Sequence, residues 1–261
     1  MASQHELVRK GLVLIFSGPP GSGKGTYGKI LAERWGIRHV SIGDLIRAKL
    51  AACTCLKSGG GSKDGCPLQD NEAFQLNNIR VEQGLLIQDA VATELCKQHI
   101  SSCAQQTSWI LDGFPRTMQQ AEALRSFARP HACINFHLPA AILLKKLLGR
   151  RLCTTCGGNF NVADIYNPPF ILPAILPKAE CVHCGGKARL AKRNDDTEET
   201  IQKRLDVHKQ LTAPMLNYYE TEGVLLNFEV VRGIQDIPRL EEAIISFLRR
   251  KHHEMRWYGI Q

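Results

Sequence analysis

An apolar run at residues 12–17, LVLIFS, leads directly into the glycine-rich segment GPPGSGKGT at residues 18–26. A continuous apolar run predicts a strand that is buried on both faces of a parallel sheet. The glycines allow a tight loop, and a helical stretch follows as far as Trp35. Backbone N–H groups in such a loop point inward, and the N-terminus of the helix adds positive potential. The segment therefore predicts a phosphate-binding loop at the carboxyl end of a buried strand.

This loop meets the pattern G-x-x-x-x-G-K-[ST] only loosely, because Gly25 separates Lys24 from Thr26. The mechanism still holds, since Lys24 supplies a charge for β- and γ-phosphates and the Thr26 hydroxyl can face magnesium or an α-phosphate. The alternative is a glycine-rich turn with an ordinary surface lysine, and the preceding buried strand argues against it. The predicted phosphate-binding residues are Gly21, Ser22, Gly23, Lys24, Gly25 and Thr26.

Strand-like and helix-like segments alternate along the chain. Strands are predicted at 12–17, 37–42, 107–113, 131–138 and 223–230, and helices up to Trp35 and at 88–99, 117–128, 139–151, 196–221 and 236–252. Such alternation indicates a parallel sheet covered by helices on both faces. Two segments, 52–66 and 152–190, break the rhythm and are interpreted as insertions into one α/β core.

A second site is predicted in WILDGFPRTMQQ at residues 109–120, where the third strand ends. Ligands of doubly wound sheets bind outside the carboxyl ends of the strands, so Asp112 and Arg116 should face the same crevice as the phosphate loop. Asp112 can hold magnesium through water, and Arg116 can fork onto a phosphate. Gln120 lies one helical turn further, with an amide suited to a base edge. The alternative is a turn with a helix-capping Thr117 and a surface arginine.

Two Cys-x-x-Cys-Gly-Gly knuckles lie within residues 153–186. Their four thiols, from Cys153, Cys156, Cys181 and Cys184, suit a tetrahedral structural zinc with no open position for catalysis. Disulfides in an oxidising compartment are one alternative. A nucleic-acid-binding knuckle is another, which the lack of interleaved aromatic residues disfavours.

Composition narrows the possible partners. The 261 residues carry a net charge of +8, which favours an anionic partner such as a nucleotide, a nucleic acid or an acidic membrane. No segment approaches the roughly 18 to 20 apolar residues that a membrane span needs, and the first residues lack the apolar stretch of a secretory signal. We expect no membrane span.

Five motifs together resemble those of the adenylate kinase family, in that family's order and over about residues 12–248. They are GPPGSGKGT, SIGDLIR (41–47), LDGFPRT (111–117), GRR (149–151) and RNDDTEETIQKRL (193–205). The chain is similar to the type with a long, zinc-binding lid. The resemblance implies the P-loop nucleoside monophosphate kinase fold, an α/β fold with a five-stranded parallel sheet. It also implies a core at 1–40, 89–151 and 192–261, a monophosphate-binding insertion at 41–88 and a lid at 152–191.

The resemblance implies transfer of the γ-phosphoryl group of Mg²⁺-ATP to AMP, giving two ADP. The implied catalytic residues are Lys24, Asp112, Arg116, Arg150, Arg193 and Arg204. On the ATP side, the resemblance implies the residues of the phosphate loop and four others: Arg150, Asn159, Phe160 and Gln235. The residues implied to bind AMP are Ile42, Arg47, Gly113, Arg116, Gln120, Arg193 and Arg204. The implied cofactors are Mg²⁺ with ATP and a structural Zn²⁺ in the lid.

Four features depart from the family pattern. Ile42 replaces a small or hydroxylated residue near the monophosphate base, and Lys146 replaces an arginine that stacks on the donor base. Residues 52–68 add length, and residues 168–177 are unusually apolar, which predicts packing within the lid hairpin or a tip that touches a partner or membrane. GTP as donor, another monophosphate as acceptor and a silent nucleotide sensor therefore stay open. We expect a cytoplasmic monomer that binds ATP and AMP but no nucleic acid, with mitochondria or another organelle as alternative compartments.

Overall fold

The structure is a computed structural model that describes residues 11–46, 48, 83, 85–101, 107–179, 184–185, 187–193 and 196–257. The described strands are β1 (Val13–Ser17), β2 (Arg38–Ser41), β3 (Trp109–Asp112), β4 (Ala132–His137), β5 (Arg150–Cys153), β6 (Asn159–Asn161), β7 (Ile165–Asn167), β8 (Phe170–Leu172), β9 (Leu190–Ala191) and β10 (Leu225–Glu229). The helices are α1 (Lys24–Trp35), α2 (Asp89–Ser101), α3 (Met118–Arg125), α4 (Ala140–Leu148), α5 (Glu198–Thr221) and α6 (Ile237–Trp257). A 3₁₀ turn covers Gly233–Asp236, and residues 42–46 are helical.

A five-stranded sheet in the order β10-β4-β1-β3-β2 forms the centre of the molecule, and every strand pair in it is parallel. Side chains of β1 alternate between two core clusters. Leu14 and Phe16 pack with α1 and α6, whereas Val13 and Ile15 pack with α2, α3 and α5. Successive side chains of a strand point to opposite faces, so both faces of the sheet are covered by helices. The predicted fold class is confirmed.

All five predicted core strands are present, and each is shorter than predicted by one to three residues. The helix predicted at 139–151 ends at Leu148, because the chain turns at Gly149 into β5. A Cβ on Gly149 would lie 2.6 Å from the Cβ of Ala163. Only a glycine fits at the end of this helix without displacing its neighbour.

Strands β5, β6 and β9 form a separate antiparallel sheet in the order β6-β5-β9, and β7 and β8 form a hairpin beside it. The prediction that residues 168–177 pack within the lid is only partly right. Leu172 is buried in the same cluster as Phe136 and Leu240 of the core, and the N–H of Ile171 donates to the carbonyl of Val231 at 2.8 Å. This hairpin therefore also packs onto the end of β10.

Some apolar side chains of the same region face solvent: Tyr166 is 78% exposed and Leu176 56%. A partner or membrane contact at this tip stays a prediction. Within the described part of the chain, no helix is both long enough and apolar enough to span a membrane. The insertion at 52–68 lies outside the described residues.

Candidate active site

A cleft of about 520 Å³ lies at the carboxyl ends of the sheet strands. It is lined by the segment after β1, the helical residues that follow β2, the segment after β3, and parts of α4, α5 and the lid. Nearly all described residues predicted for phosphate, ATP or AMP binding line it. The exceptions are Gln235, which is exposed on the 3₁₀ turn, and Ser22, which is fully buried; neither lines the cleft. Arg47 lies outside the described residues.

The segment after β1 curls around the amino group of Lys24. Lys24 Nζ donates to the carbonyls of Gly18 and Pro19 at 2.7 and 2.8 Å and to Ser22 Oγ at 3.3 Å. Three acceptors accommodate the three N–H bonds of an ammonium group. Burial lowers the pKa of Lys24 to about 7; the carboxylate of Asp112 opposes this shift, and the nearby arginines 116, 204 and 150 add to it. The loop therefore concentrates positive charge, which a bound anion would stabilise.

Two glycines of this loop have roles that a side chain would prevent. Gly23 has φ 96, in the left-handed region, and precedes α1 without a side-chain cap. The helix N-terminus is therefore open to an anion. A Cβ on Gly25 would lie 3.1 Å from Asp112 Oδ2, so the glycine lets α1 approach the end of β3 closely.

Asp112, the last residue of β3, places a buried carboxylate beside the phosphate loop. His39 of β2 lies behind it, with 3.6 Å between His39 Nε2 and Asp112 Oδ2. Asp112 and Thr26 both line the cleft. Carboxylate and hydroxyl oxygens are the ligands that Mg²⁺ prefers, so the donor set fits this ion.

Gln120 is held at both ends of its amide. Its Oε1 accepts the backbone N–H of Arg116 at 2.8 Å, and its Nε2 donates to Asp89 Oδ1 at 2.7 Å. Asp89 also accepts from the Thr117 hydroxyl at 2.8 Å, while Thr117 caps α3 by accepting the N–H of Gln120. Thr117 therefore caps the helix in a segment whose Gln120 is fixed by hydrogen bonds. Only 3% of Gln120 is exposed, and it lines the cleft.

Asp196, to which the sequence motifs assigned no role, holds two arginines on the lid side of the cleft. Asp196 accepts two hydrogen bonds from Arg150 and one from Arg204. Arg193 donates to Asn159 Oδ1 at 2.6 Å, and Phe160 lines the cleft near them. Asp195, which the sequence places next to these arginines, lies outside the described residues.

Lys146 also reaches the phosphate loop. Its Nζ would lie 3.8 Å from a Cβ on Gly23. Burial lowers the pKa of Lys146 to about 8, and Asp236 partly opposes that shift. Ile42 is buried in the second core cluster and lines the cleft together with Ile87 and Ala92. Two of the four departures from the family pattern, Ile42 and Lys146, thus line the cleft.

The lid holds a cluster of thiols. The Sγ atoms of Cys153, Cys156 and Cys184 all lie within 4.8 Å of one another. Tetrahedral zinc with Zn–S bonds of about 2.3 Å needs sulfur atoms that close, so the donor set fits this metal. Burial raises the pKa of the Cys153 thiol, but hydrogen bonds from Cys156 and Thr155 outweigh it and lower that pKa below its usual value. Cys181, the fourth predicted ligand, lies outside the described residues.

Comparison with known proteins decides the family. The family model described as adenylate kinase matches residues 68–224. The chain is 30% identical over 246 residues to a GTP:AMP phosphotransferase of Plasmodium falciparum, covering 93% of this chain and 99% of that protein. It is 36% identical over 237 residues to an adenylate kinase of Borrelia turicatae, covering 91% of this chain and 99% of that one. The chain belongs to the adenylate kinase family. It is a nucleoside monophosphate kinase, and so a phosphotransferase.

Adenylate kinase 1 of Arabidopsis thaliana, described as chloroplastic, is also 36% identical, over 88% of this chain and 76% of the plant protein. Three residues escaped the sequence analysis: His208, which lines the cleft, and Asp89 and Asp196, which accept hydrogen bonds from residues that line it. His208 had a usable signal, because it follows Arg204 by one helical turn. Asp89 had none, since Gln120 lies 31 positions away. Asp196 had a signal only towards Arg204, eight positions away, and none towards Arg150, 46 positions away.

Proposed function

We propose that this kinase transfers the γ-phosphoryl group of ATP to AMP and forms two ADP. The fixed amide of Gln120 is the observation that carries the choice of acceptor. Asp89 can only accept hydrogen bonds and the Arg116 N–H can only donate, so together they set which end of the amide is oxygen and which is nitrogen. One N–H and one lone pair remain for a base edge.

A fixed order of donor and acceptor separates two groups of bases. Adenine and cytosine present a ring nitrogen acceptor next to an amino donor, whereas guanine and uracil present a ring N–H next to a carbonyl. An amide that cannot turn over matches one group and leaves unpaired polar atoms against the other. Ile42, Ile87 and Ala92 add an apolar wall that suits the larger purine ring. The Plasmodium relative, whose name specifies AMP as acceptor, supports the same choice.

The proposed chemistry is positioning and charge stabilisation. Phosphoryl transfer passes through a loose transition state with charge spread over oxygens, and it needs cations more than a base. In this proposal Lys24 and Arg150 hold the donor phosphates, and Arg116 and Arg47 hold the acceptor phosphate. Arg193 and Arg204 close over the group in transfer. Mg²⁺, held by Asp112 through water, would neutralise the donor phosphates when bound.

The lid thiols are proposed to hold a structural zinc. Cys153, Cys156 and Cys184 supply three ligands, and Cys181 is proposed as the fourth. A Cβ on Gly158 would lie 3.2 Å from Cys156 Sγ, so this glycine lets the backbone approach the thiol closely. A small three-stranded sheet buries little apolar surface, and a metal would supply the missing stability.

GTP as donor is the second candidate. The Plasmodium relative is named for GTP, and Lys146 of this chain approaches the phosphate loop at Gly23. Lysine is a point charge and stacks on a base less well than the planar guanidinium group of arginine. A weaker stacking contact would leave the donor base less constrained.

The proposal is tested with a coupled phosphoryl-transfer assay in Mg²⁺, with ATP or GTP as donor and AMP, GMP, CMP or UMP as acceptor. We expect the highest kcat/KM for ATP with AMP. A higher value for GTP with AMP would select the second candidate. A higher value for GMP or UMP would reject the argument from Gln120, and a higher value for CMP would reject the argument from the apolar wall. The metal content of the same sample, about one zinc per chain, tests the lid.

Compartment and assembly belong to the proposal as well. We propose a cytoplasmic monomer, with an organelle as the alternative. The Arabidopsis relative described as chloroplastic supports the alternative. Imaging of a C-terminal fluorescent fusion and light scattering of the purified chain test the two parts separately.

A further inference from the structure

One face of α5 lines the cleft along two helical turns. Arg204, His208 and Thr212 are spaced four residues apart and share this face, and all three line the cleft. The Thr212 hydroxyl donates to the backbone carbonyl of Arg116 at 3.2 Å. His208 therefore lies between the arginine proposed to close over the phosphates and the segment proposed to hold the acceptor.

The imidazole of His208 has an unused polar atom. Its Nε2 is fully buried and has no hydrogen-bond partner within the described part of the chain. Buried polar atoms are nearly always paired in native proteins, so an unpaired one at a ligand cleft points to a partner that arrives with the ligand.

The groups around this imidazole are positively charged or neutral. Burial, then Lys24, Arg116 and His137, lower the pKa of His208 to about 3, and Arg204 lies one turn away on the same helix. The ring is therefore neutral in the free protein, and it can carry its single proton on Nε2. A neutral donor among cations fits an anionic oxygen and repels a further cation.

We infer that His208 is a phosphate-binding residue, whose Nε2–H donates to an oxygen of the phosphoryl group held between the two nucleotides. The inference rests on the proposed function, because it places that phosphoryl group between Lys24 and Arg116. It adds a neutral donor to a site otherwise made of cations. A hydrogen bond from the protein to a charged oxygen contributes about 10- to 100-fold in affinity or rate.

Two substitutions separate this role from a packing role. H208F keeps the ring shape and loses the N–H, whereas H208Q places an amide N–H near the position of Nε2. We expect kcat/KM to fall by about 10- to 100-fold in H208F and by less than about fivefold in H208Q. H208F at the wild-type rate, or equal losses in both variants, would overturn the inference.

NMR of the ¹⁵N-histidine-labelled protein tests the contact itself. We expect the Nε2 signal of His208 to shift when a dinucleoside pentaphosphate spans both sites. His131 is the control, because its Nδ1 accepts the N–H of Val13 at the amino ends of the central strands. An unmoved His208 signal in the saturated complex would contradict the inference. Inactivity of the wild-type protein with every nucleotide pair would instead count against the proposed function, since the NMR result does not depend on turnover.

Discussion

Asp196 accepts two hydrogen bonds from the guanidinium group of Arg150, one of them from Nε at 2.7 Å. Arg204 adds a third at 3.3 Å. The Asp196 side chain is 1% exposed, so its charge is compensated mainly by these two arginines. In the free protein the carboxylate bridges two cations that the proposed mechanism needs around the phosphates.

Replacing Asp196 with asparagine keeps the shape and removes the charge. We expect the free energy of unfolding to fall by about 1–3 kcal/mol, because two guanidinium groups lose their shared anion. For a chain of this size that corresponds to a decrease in Tm of a few degrees. A dinucleoside pentaphosphate should reduce the difference from wild type, since its phosphates replace the missing charge. Thermal melts with and without this ligand measure both effects; a difference that the ligand leaves unchanged would contradict the account.

The lowered pKa of Lys24 predicts that donor binding depends on pH. Its pKa of about 7 in the free protein means that the ammonium form dominates below pH 7 and the neutral amine above it. Bound phosphates favour the ammonium and raise the pKa, so binding above pH 7 must take up a proton. Affinity for ATP should therefore fall as the pH rises from 7 towards the pKa of the bound form.

Calorimetry in two buffers of different ionisation enthalpy counts that proton. We expect uptake of about one proton at pH 8 and little at pH 6. K24R is the matched control, because arginine stays charged over this range and needs no proton. Equal uptake by the wild type and K24R at pH 8 would assign the proton to another group.

We predict that Asp89 determines which acceptor base is preferred, because it holds the amide of Gln120, the residue proposed to contact the base. In D89N the partner of Gln120 can both donate and accept, so only the Arg116 N–H still sets the orientation of the amide. We expect the ratio of kcat/KM for AMP over GMP to fall by about tenfold or more. E94Q makes the same change in charge on an exposed position of the same helix and should keep the ratio. An unchanged ratio in D89N would show that Gln120 is oriented by something else.

The lid metal should stabilise without taking part in the chemistry. Three clustered thiols and a fourth predicted ligand close the coordination sphere, so Co²⁺ in place of Zn²⁺ should preserve kcat within a few-fold. The cobalt protein should show the absorption bands of a tetrahedral thiolate site, and C156S should lose them. A kcat that depends strongly on which metal is bound would place the metal in the reaction.

The sequence predicts the sheet well because its strands are buried on both faces, and continuous apolar runs such as residues 12–17 report that directly. It also predicts the phosphate loop, because the loop is local. The end of α4 is different: Leu148 is followed by a glycine that must avoid Ala163, and periodicity carries no trace of that contact. The same holds for Asp89 with Gln120, since a carboxylate in a sequence does not reveal which amide it will hold.

The most direct test of the central claim is ³¹P NMR of ATP, AMP and Mg²⁺ with the purified kinase, followed to equilibrium and repeated from ADP. We predict that the β-phosphate signal of ADP grows in the mixture that starts from ATP and AMP. It should decline in the mixture that starts from ADP, until both mixtures have the same composition. K24A should slow the approach to equilibrium from either mixture by orders of magnitude, because it removes a positive charge next to the phosphoryl group in transfer. Mixtures that stay unchanged with the wild-type protein, or that change equally fast with K24A, would contradict the account.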